Sequence, residues 1–198
     1  MAIGALVLRQ TLHGTSDGSE LPIWSIALAF VWIAGWLALV TLTPRQDRRA
    51  FSRDRSTGQR HPLAFTIAVG IAFAVVSLFG ALLLRELPVF GDDVSGTTSR
   101  VMDSPVAVFM VALGTGVAEE LFFRLGLSRL LPYRWFPFFS TAAYGAVTLA
   151  TGNLALTIAA VLLGATSSIA LTMTRRWYTP VIVHASWTVA LVGVFPLL

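Results

Sequence analysis

The chain has 198 residues, of which 56% are apolar and only 12% are charged. Ordinary soluble domains carry about a quarter charged residues, so this composition excludes a soluble globule. The net charge is +4, but the arginines lie between apolar runs and form no basic stripe, which argues against a nucleic-acid partner. Cysteine is absent, and this excludes disulfides and thiolate metal sites.

Six apolar segments follow in chain order, most of them close to the ~20 residues that cross a bilayer. They cover residues 23–43, 63–84, 105–131, 136–152, 154–173 and 180–198. The sequence therefore predicts an all-α fold, a polytopic membrane bundle of about six transmembrane helices. Residues 1–104 are expected to form an N-terminal tail and two helices joined by an arginine-rich loop, and residues 105–198 a four-helix core.

The loops between the segments predict an orientation in the membrane. The loop 44–62 carries six arginines, and the later loops at 129–134 and 175–176 are also basic, whereas the loop 85–104 is mostly acidic. Because basic loops stay on the cytoplasmic side, both chain termini are expected outside the cytoplasm.

The fourth and fifth segments meet at Thr151, Gly152 and Asn153, which predicts a tight turn between two antiparallel helices. The fifth segment contains small residues, among them Gly164 and Ser167. Small side chains allow a second helix to approach closely, so this segment is expected to be tightly packed.

A carboxylate pair marks the third segment. Between residues 105 and 198 the only acidic residues are Glu119 and Glu120, and a carboxylate inside a bilayer is costly unless it meets water, a partner or a proton. Arg124 follows Glu120 at the spacing of a same-face ion pair, while Glu119 projects about 100° away. The pair predicts a functional site in which Glu120 is bound to Arg124. A purely structural clamp at the helix end is the alternative.

His184 is the only histidine within a predicted span, and it is expected at the depth of Glu119. A carboxylate near an imidazole can polarise a water molecule and stabilise the charge that develops on an attacked carbonyl. A histidine that is merely hydrogen-bonded to its neighbours is the alternative. His13 and His61 fall in a predicted tail and loop, on opposite sides of the membrane.

Three short motifs together resemble one known family. The run EELFFR, from Glu119 to Arg124, resembles the EExxxR signature of the CAAX protease and bacteriocin-processing (CPBP, or Abi) family of intramembrane endopeptidases. That family's Phe-Gly-x-x-His motif corresponds to YGAVT, which begins at Tyr144, and its His-x-x-x-Asn motif corresponds to HASWT, which begins at His184. The resemblance covers about residues 105–198.

The resemblance implies hydrolysis of peptide bonds at the membrane, either of prenylated C-terminal tripeptides or in bacterial peptide maturation, bacteriocin handling and immunity. By position, Glu119 is expected to act as general base, Glu120 and Arg124 to brace it, and His184 to stabilise an oxyanion. We expect a bacterial plasma-membrane protein whose site opens toward the cytoplasm. Its expected partners are the lipid bilayer and a membrane-associated peptide or protein substrate, without a cofactor.

Two positions depart from the family's motifs. Thr148 stands in place of the motif histidine and Thr188 in place of the asparagine, while Tyr144 is a conservative aromatic exchange with little expected effect. A threonine hydroxyl can donate a hydrogen bond, but it cannot take up a proton near neutral pH. An inactive member that binds a membrane peptide or partner is therefore one alternative. Two others rest on the acidic residues themselves: a zinc site of Glu119, Glu120 and His184, and a proton-coupled carrier in which Glu119 takes up the proton.

Overall fold

A computed structural model describes residues 21–43, 62–103 and 105–198. Within these ranges the chain forms seven α-helices, two π-helical segments and two short 3₁₀ turns. The arginine-rich loop, His13 and His61 lie outside the described residues.

The α-helices follow one another along the chain as α1 (Leu21–Leu42), α2 (Pro62–Arg85), α3 (Gly91–Asp103), α4 (Pro105–Glu119), α5 (Phe136–Leu149), α6 (Leu154–Thr174) and α7 (Tyr178–Thr188). Two of them continue directly into wider turns. A π-helical segment (Glu120–Gly126) and a 3₁₀ turn (Leu127–Arg129) extend α4. A second π-helical segment (Val189–Val194) and a 3₁₀ turn (Phe195–Leu197) extend α7.

Five helical stretches of the described chain are long and apolar enough to cross a membrane. They are Ile23–Leu42, Pro62–Arg85, Pro105–Arg129, Leu154–Thr174 and Tyr178–Leu197. Large apolar side chains project outward from them, for example Phe30 at 68% exposed and Leu83 at 70%. An apolar surface of this extent is suited to lipid. The structure therefore confirms the predicted all-α membrane bundle.

Two regions differ in length or form from the prediction. The fourth apolar segment, 136–152, contains a helix of only 14 residues, about 21 Å long, which is shorter than the ~30 Å hydrocarbon layer. The acidic region 85–104, predicted as a loop, contains α3. Asp92 and Asp93 lie in the first turn of α3, where negative charge favours a helix N-terminus.

The start of α6 is capped from two directions. Asp93 of α3 accepts hydrogen bonds from the backbone N–H groups of Leu154 at 2.9 Å and Ala155 at 3.3 Å. The Asn153 side chain accepts another from the N–H of Leu156 at 2.7 Å. These carboxylate and amide oxygens satisfy N–H groups that have no partner within the helix. The acidic region thereby fixes the beginning of a helix that is distant in sequence.

The turn between α5 and α6 has the predicted form. Gly152 adopts φ +80°, a left-handed conformation that glycine accepts without steric cost. The two helices that it joins make the most extensive helix–helix contact of the described chain. The predicted antiparallel pair is therefore confirmed.

The loops that follow α4 and α6 meet at one end of the bundle. Tyr133 donates a hydrogen bond to the carbonyl oxygen of Thr172 at 2.7 Å, and the Arg175 guanidinium lies 5.8 Å from the Tyr133 ring centroid. At the opposite end, the Arg85 guanidinium lies 6.0 Å from the Phe195 ring. Arg175 and Arg85 therefore lie at opposite ends of the bundle.

An aromatic cluster joins α1 to the core of the bundle. Trp32 is buried, and its ring centroid lies 5.0 Å from that of Phe122 and 4.8 Å from that of Phe123. Phe123 in turn lies 5.0 Å from Tyr144 of α5. Tilted and edge-on aromatic pairs of this kind stabilise a core beyond the area that they bury. The first helix is thus packed directly on the π-helical segment.

A buried hydroxyl cluster joins three other helices. The Thr179 hydroxyl of α7 lies 3.0 Å from that of Thr66 in α2 and 2.7 Å from that of Thr174 in α6. Hydroxyl groups inside a membrane bundle need polar partners, and bonds between helices supply them here. Thr179 is therefore a polar link between α2, α6 and α7.

We expect Thr179→Val to lower the free energy of unfolding by about 1 kcal/mol, because it removes both hydroxyl contacts between helices. Unfolding of the purified protein in detergent micelles measures the change. Thr172→Val is the matched control, since its hydroxyl bonds only the Ile169 carbonyl of its own helix. Equal losses in the two variants would contradict the role given to Thr179.

Candidate active site

The two adjacent carboxylates lie where the helical geometry changes. Glu119 is the last residue of α4, and Glu120 opens the π-helical segment. At the end of this segment the N–H of Leu127 bonds the carbonyl oxygen of Phe122, five residues earlier. Single π-helical turns inside α-helices occur frequently at functional sites. At this change of helical geometry, the Glu119 side chain reaches α5 and the Glu120 side chain reaches α7.

Glu120 is the more completely bound of the two carboxylates. Its Oε2 lies 3.2 Å from Arg124 Nε, and its Oε1 accepts a hydrogen bond from His184 Nδ1 at 2.8 Å. The side chains of Glu120 and Arg124 are 0% exposed. A buried carboxylate is tolerated only with such partners. The Glu120–Arg124 pair predicted from the sequence is therefore present.

The hydrogen-bond partner of His184 is Glu120. The sequence predicts the imidazole at the depth of Glu119, and its Nδ1 bonds the adjacent residue, Glu120. A carboxylate paired with arginine can only accept, so Nδ1 carries the hydrogen and donates it. This leaves Nε2 for other chemistry, as an acceptor in the neutral ring and a donor in the imidazolium. The bond to Glu120 also fixes the ring's orientation.

Two glycines make room for the buried imidazole and guanidinium groups. A Cβ on Gly116 would lie 2.9 Å from both Cδ2 and Nε2 of His184, so α4 can approach the imidazole only without a side chain. A Cβ on Gly164 of α6 would lie 3.0 Å from a terminal nitrogen of Arg124. The small residues predicted to permit close packing of α6 therefore face the arginine.

Glu119 has a single hydrogen-bond partner in the described chain. Its Oε2 accepts a hydrogen bond from the Tyr144 hydroxyl at 2.6 Å, and the residue is 8% exposed. The expectation that the Tyr144 exchange has little effect does not agree with this contact. Sequence reasoning missed it because the family motif has an aromatic residue at this position, and the phenol oxygen was given no role. Tyr144 lies one helical turn before the motif position Thr148, on the same helix face, and this spacing could have indicated that its phenol oxygen faces the site.

The two threonines at the altered motif positions are both buried. The Thr148 hydroxyl donates to the Tyr144 carbonyl oxygen at 3.0 Å, a bond within its own helix. Thr188 lies one turn after His184 in α7, so the two residues share a helix face. The hydrogen bond that Thr148 donates is therefore to its own helix and not to either carboxylate.

A metal site was one of the alternatives left open by the sequence. In the ranges 21–43, 62–103 and 105–198, no three histidine or acidic side chains are arranged to hold a metal ion. Glu119 accepts a hydrogen bond from the Tyr144 hydroxyl, and Glu120 accepts one from His184 Nδ1. Zinc in catalytic sites normally takes three protein ligands around one point.

We expect Glu120→Ala to lower the free energy of unfolding by about 3–5 kcal/mol, because it leaves the buried Arg124 without its counter-ion. Glu119→Ala leaves only the Tyr144 hydroxyl unpaired, for which a loss of about 1–3 kcal/mol is expected. Thermal unfolding in detergent compares the two variants. Equal melting temperatures would contradict the conclusion that Glu120 is held by more partners than Glu119.

Gly116→Ala is expected to destabilise the protein by about 1–3 kcal/mol, because the new methyl group overlaps the His184 ring. Gly114→Ala on the same helix has no neighbouring atom within 4 Å of the new Cβ. This control should leave stability unchanged or raise it slightly, since alanine favours a helix over glycine. Unfolding shifts of the same sign and size would argue against close packing of Gly116 on the imidazole.

Comparison with known proteins adds one match. Residues 102–190 match the family described as type II CAAX prenyl endopeptidase Rce1-like, which is consistent with the CPBP resemblance. The matched region contains all three motif positions and the whole of the Glu119, Glu120 and His184 arrangement. Searches among curated proteins and among solved structures gave no match.

Proposed function

We propose that this chain, in which residues 102–190 form a domain of the Rce1-like endopeptidase family, hydrolyses peptide bonds of membrane-associated peptides or proteins. The observation that carries the proposal is the unequal partnering of two adjacent buried carboxylates. Glu120 is bound by Arg124 and His184, whereas Glu119 accepts one hydrogen bond, from Tyr144. A carboxylate with a remaining oxygen, adjacent in sequence to the carboxylate that holds an imidazole, suits general-base chemistry.

Glu119 is the proposed general base. It takes a proton from a water molecule as the water oxygen forms a bond to the substrate's carbonyl carbon. The same proton then passes to the amide nitrogen as the carbon–nitrogen bond breaks, which leaves a carboxylic acid and an amine. A positioned base of this kind contributes about 10²–10⁴-fold to the rate.

His184 is the proposed oxyanion partner. Its Nδ1 is held by Glu120, so an imidazolium ring can donate from Nε2 to the oxygen that becomes negative during the attack. The imidazolium and the Arg124 guanidinium then balance the two carboxylates, which makes the buried site neutral overall.

The substrate and the orientation extend this proposal. The matched family is described as CAAX prenyl endopeptidases, so peptides ending in a prenylated cysteine and three further residues are the first substrate class to test. The arginine distribution supports a site that opens toward the cytoplasm. We propose that the protein lies in a bacterial plasma membrane, where its outer surface contacts lipid. We also propose that it acts without a cofactor.

A second candidate function is non-catalytic binding of a membrane peptide in the same site. The observation that favours it is the Thr148 hydroxyl, which bonds its own helix and offers no acid–base group to the carboxylates. Such a protein would bind the test peptides and leave them intact. Its biological effect would also survive replacement of Glu119 by glutamine.

We expect Glu119→Gln to reduce cleavage by about 10²–10⁴-fold, because the amide cannot accept the water proton. The assay uses protein in lipid vesicles with a library of short apolar peptides that end in cysteine and three residues, each farnesylated and unmodified. In ¹⁸O-labelled water, mass spectrometry should detect new C-termini that carry one heavy oxygen from the attacking water.

Glu86→Gln is the matched control, because the Glu86 side chain is 75% exposed and lies outside the site. It should cleave like the wild type. Cleavage by Glu119→Gln at the wild-type rate would exclude Glu119 as the base. Peptides that bind to the wild type and remain uncut would support the non-catalytic function instead.

A further inference from the structure

Tyr144 provides the one hydrogen bond that the described chain offers to Glu119. The distance between the Tyr144 hydroxyl and Glu119 Oε2 is 2.6 Å, which is typical of a charge-assisted bond from a hydroxyl to a carboxylate. Both residues are buried, so water competes little for this contact. The orientation of the Glu119 carboxylate therefore depends on the position of one phenol oxygen.

The Tyr144 ring is itself fixed by its neighbours. The Phe123 ring centroid lies 5.0 Å away, and the Arg124 guanidinium carbon lies 4.5 Å from the Tyr144 centroid. A Cβ on Gly164 would lie 3.4 Å from Tyr144 Cδ1, so α6 also packs against the ring. A tyrosine side chain has only two rotatable angles, and these contacts restrict both. The hydroxyl is consequently held in one place.

The neighbouring polar residue of the same helix face does not share this role. The Thr148 hydroxyl lies one turn further along α5, where it donates to the Tyr144 carbonyl oxygen. The hydrogen that it could offer to a carboxylate is already used in that bond. Among the described residues, the contact to Glu119 from α5 therefore comes from Tyr144 alone.

We propose that Tyr144 is the positioning residue of Glu119: its hydroxyl holds Oε2 and so directs Oε1 toward the attacking water. This inference rests on the endopeptidase function proposed above. Tyr144 keeps its own proton throughout, since the only proton transferred passes from water to Glu119 and then to the leaving amine. The residue acts on the reaction through the carboxylate and does not touch the substrate.

The test is Tyr144→Phe, which removes a single oxygen atom and keeps the ring packing. The probe is the most rapidly cleaved peptide of the CAAX-type library, measured with protein in lipid vesicles. We expect kcat to fall about tenfold to hundredfold, because a carboxylate free to rotate loses its alignment with water. KM should stay within about twofold, since binding contacts are unchanged.

Tyr133→Phe is the matched control. It also removes one tyrosine hydrogen bond, to the Thr172 carbonyl oxygen at 2.7 Å, but at the end of the bundle. Its kcat should equal that of the wild type. An equal fall in both variants would show that the effect is structural, and this would overturn the inference.

An infrared difference spectrum gives a second readout that does not depend on turnover. Subtracting the Glu119→Gln spectrum from the wild type isolates the Glu119 carboxylate stretch, and Tyr144→Phe should shift that band. An unshifted band, or a normal kcat in Tyr144→Phe beside an active wild type, overturns this inference alone. A wild type that cleaves no peptide overturns the proposed function and the positioning role together.

Discussion

The buried carboxylate of Glu120 is the group on which the rest of the site depends. An isolated ion in the interior of this bundle would be costly, and Glu120 meets that cost with two partners, Arg124 at 3.2 Å and His184 at 2.8 Å. One partner lies on the next turn of the same helical segment, and the other lies on α7. The interaction therefore fixes the angle between two helices, orients an imidazole and confines a guanidinium. Removing any of the three groups would leave a buried charge or a buried donor without its partner.

The packing around this interaction explains residues that have no chemical role. Gly116 and Gly164 provide the space that the imidazole and the guanidinium occupy. Trp32 supports the π-helical segment from the side of α1, through its contact with Phe123. The first helix thus belongs to the same folded unit as the site, although it lies outside the residues that match the family. Of the two adjacent buried carboxylates, Glu119 has fewer protein partners, which is why the proposed chemistry falls on it.

The parts of this arrangement that depend on short stretches of chain could be predicted from the sequence. Long apolar runs indicate membrane helices, and the four-residue spacing of Glu120 and Arg124 indicates an ion pair. The partner of His184 depends on how α7 is rotated against α4, and a linear pattern contains no such information. The Tyr144 contact was missed for the same reason, and both features result from tertiary packing and not from local periodicity. The helix α3 did have a local signal, the acidic Asp92 and Asp93 of its first turn, which favour a helix N-terminus.

In the proposed function, Glu119 is the base for peptide-bond hydrolysis and Glu120 holds the site together. The most direct test compares all peptide termini in membranes of the source cells that express either the wild type or Glu119→Gln at matched levels. We predict new termini that occur only with the wild type, and these would also identify the natural substrate. Identical termini in the two samples, with good coverage of membrane proteins, would contradict it. In that case the buried carboxylates would serve binding and not hydrolysis.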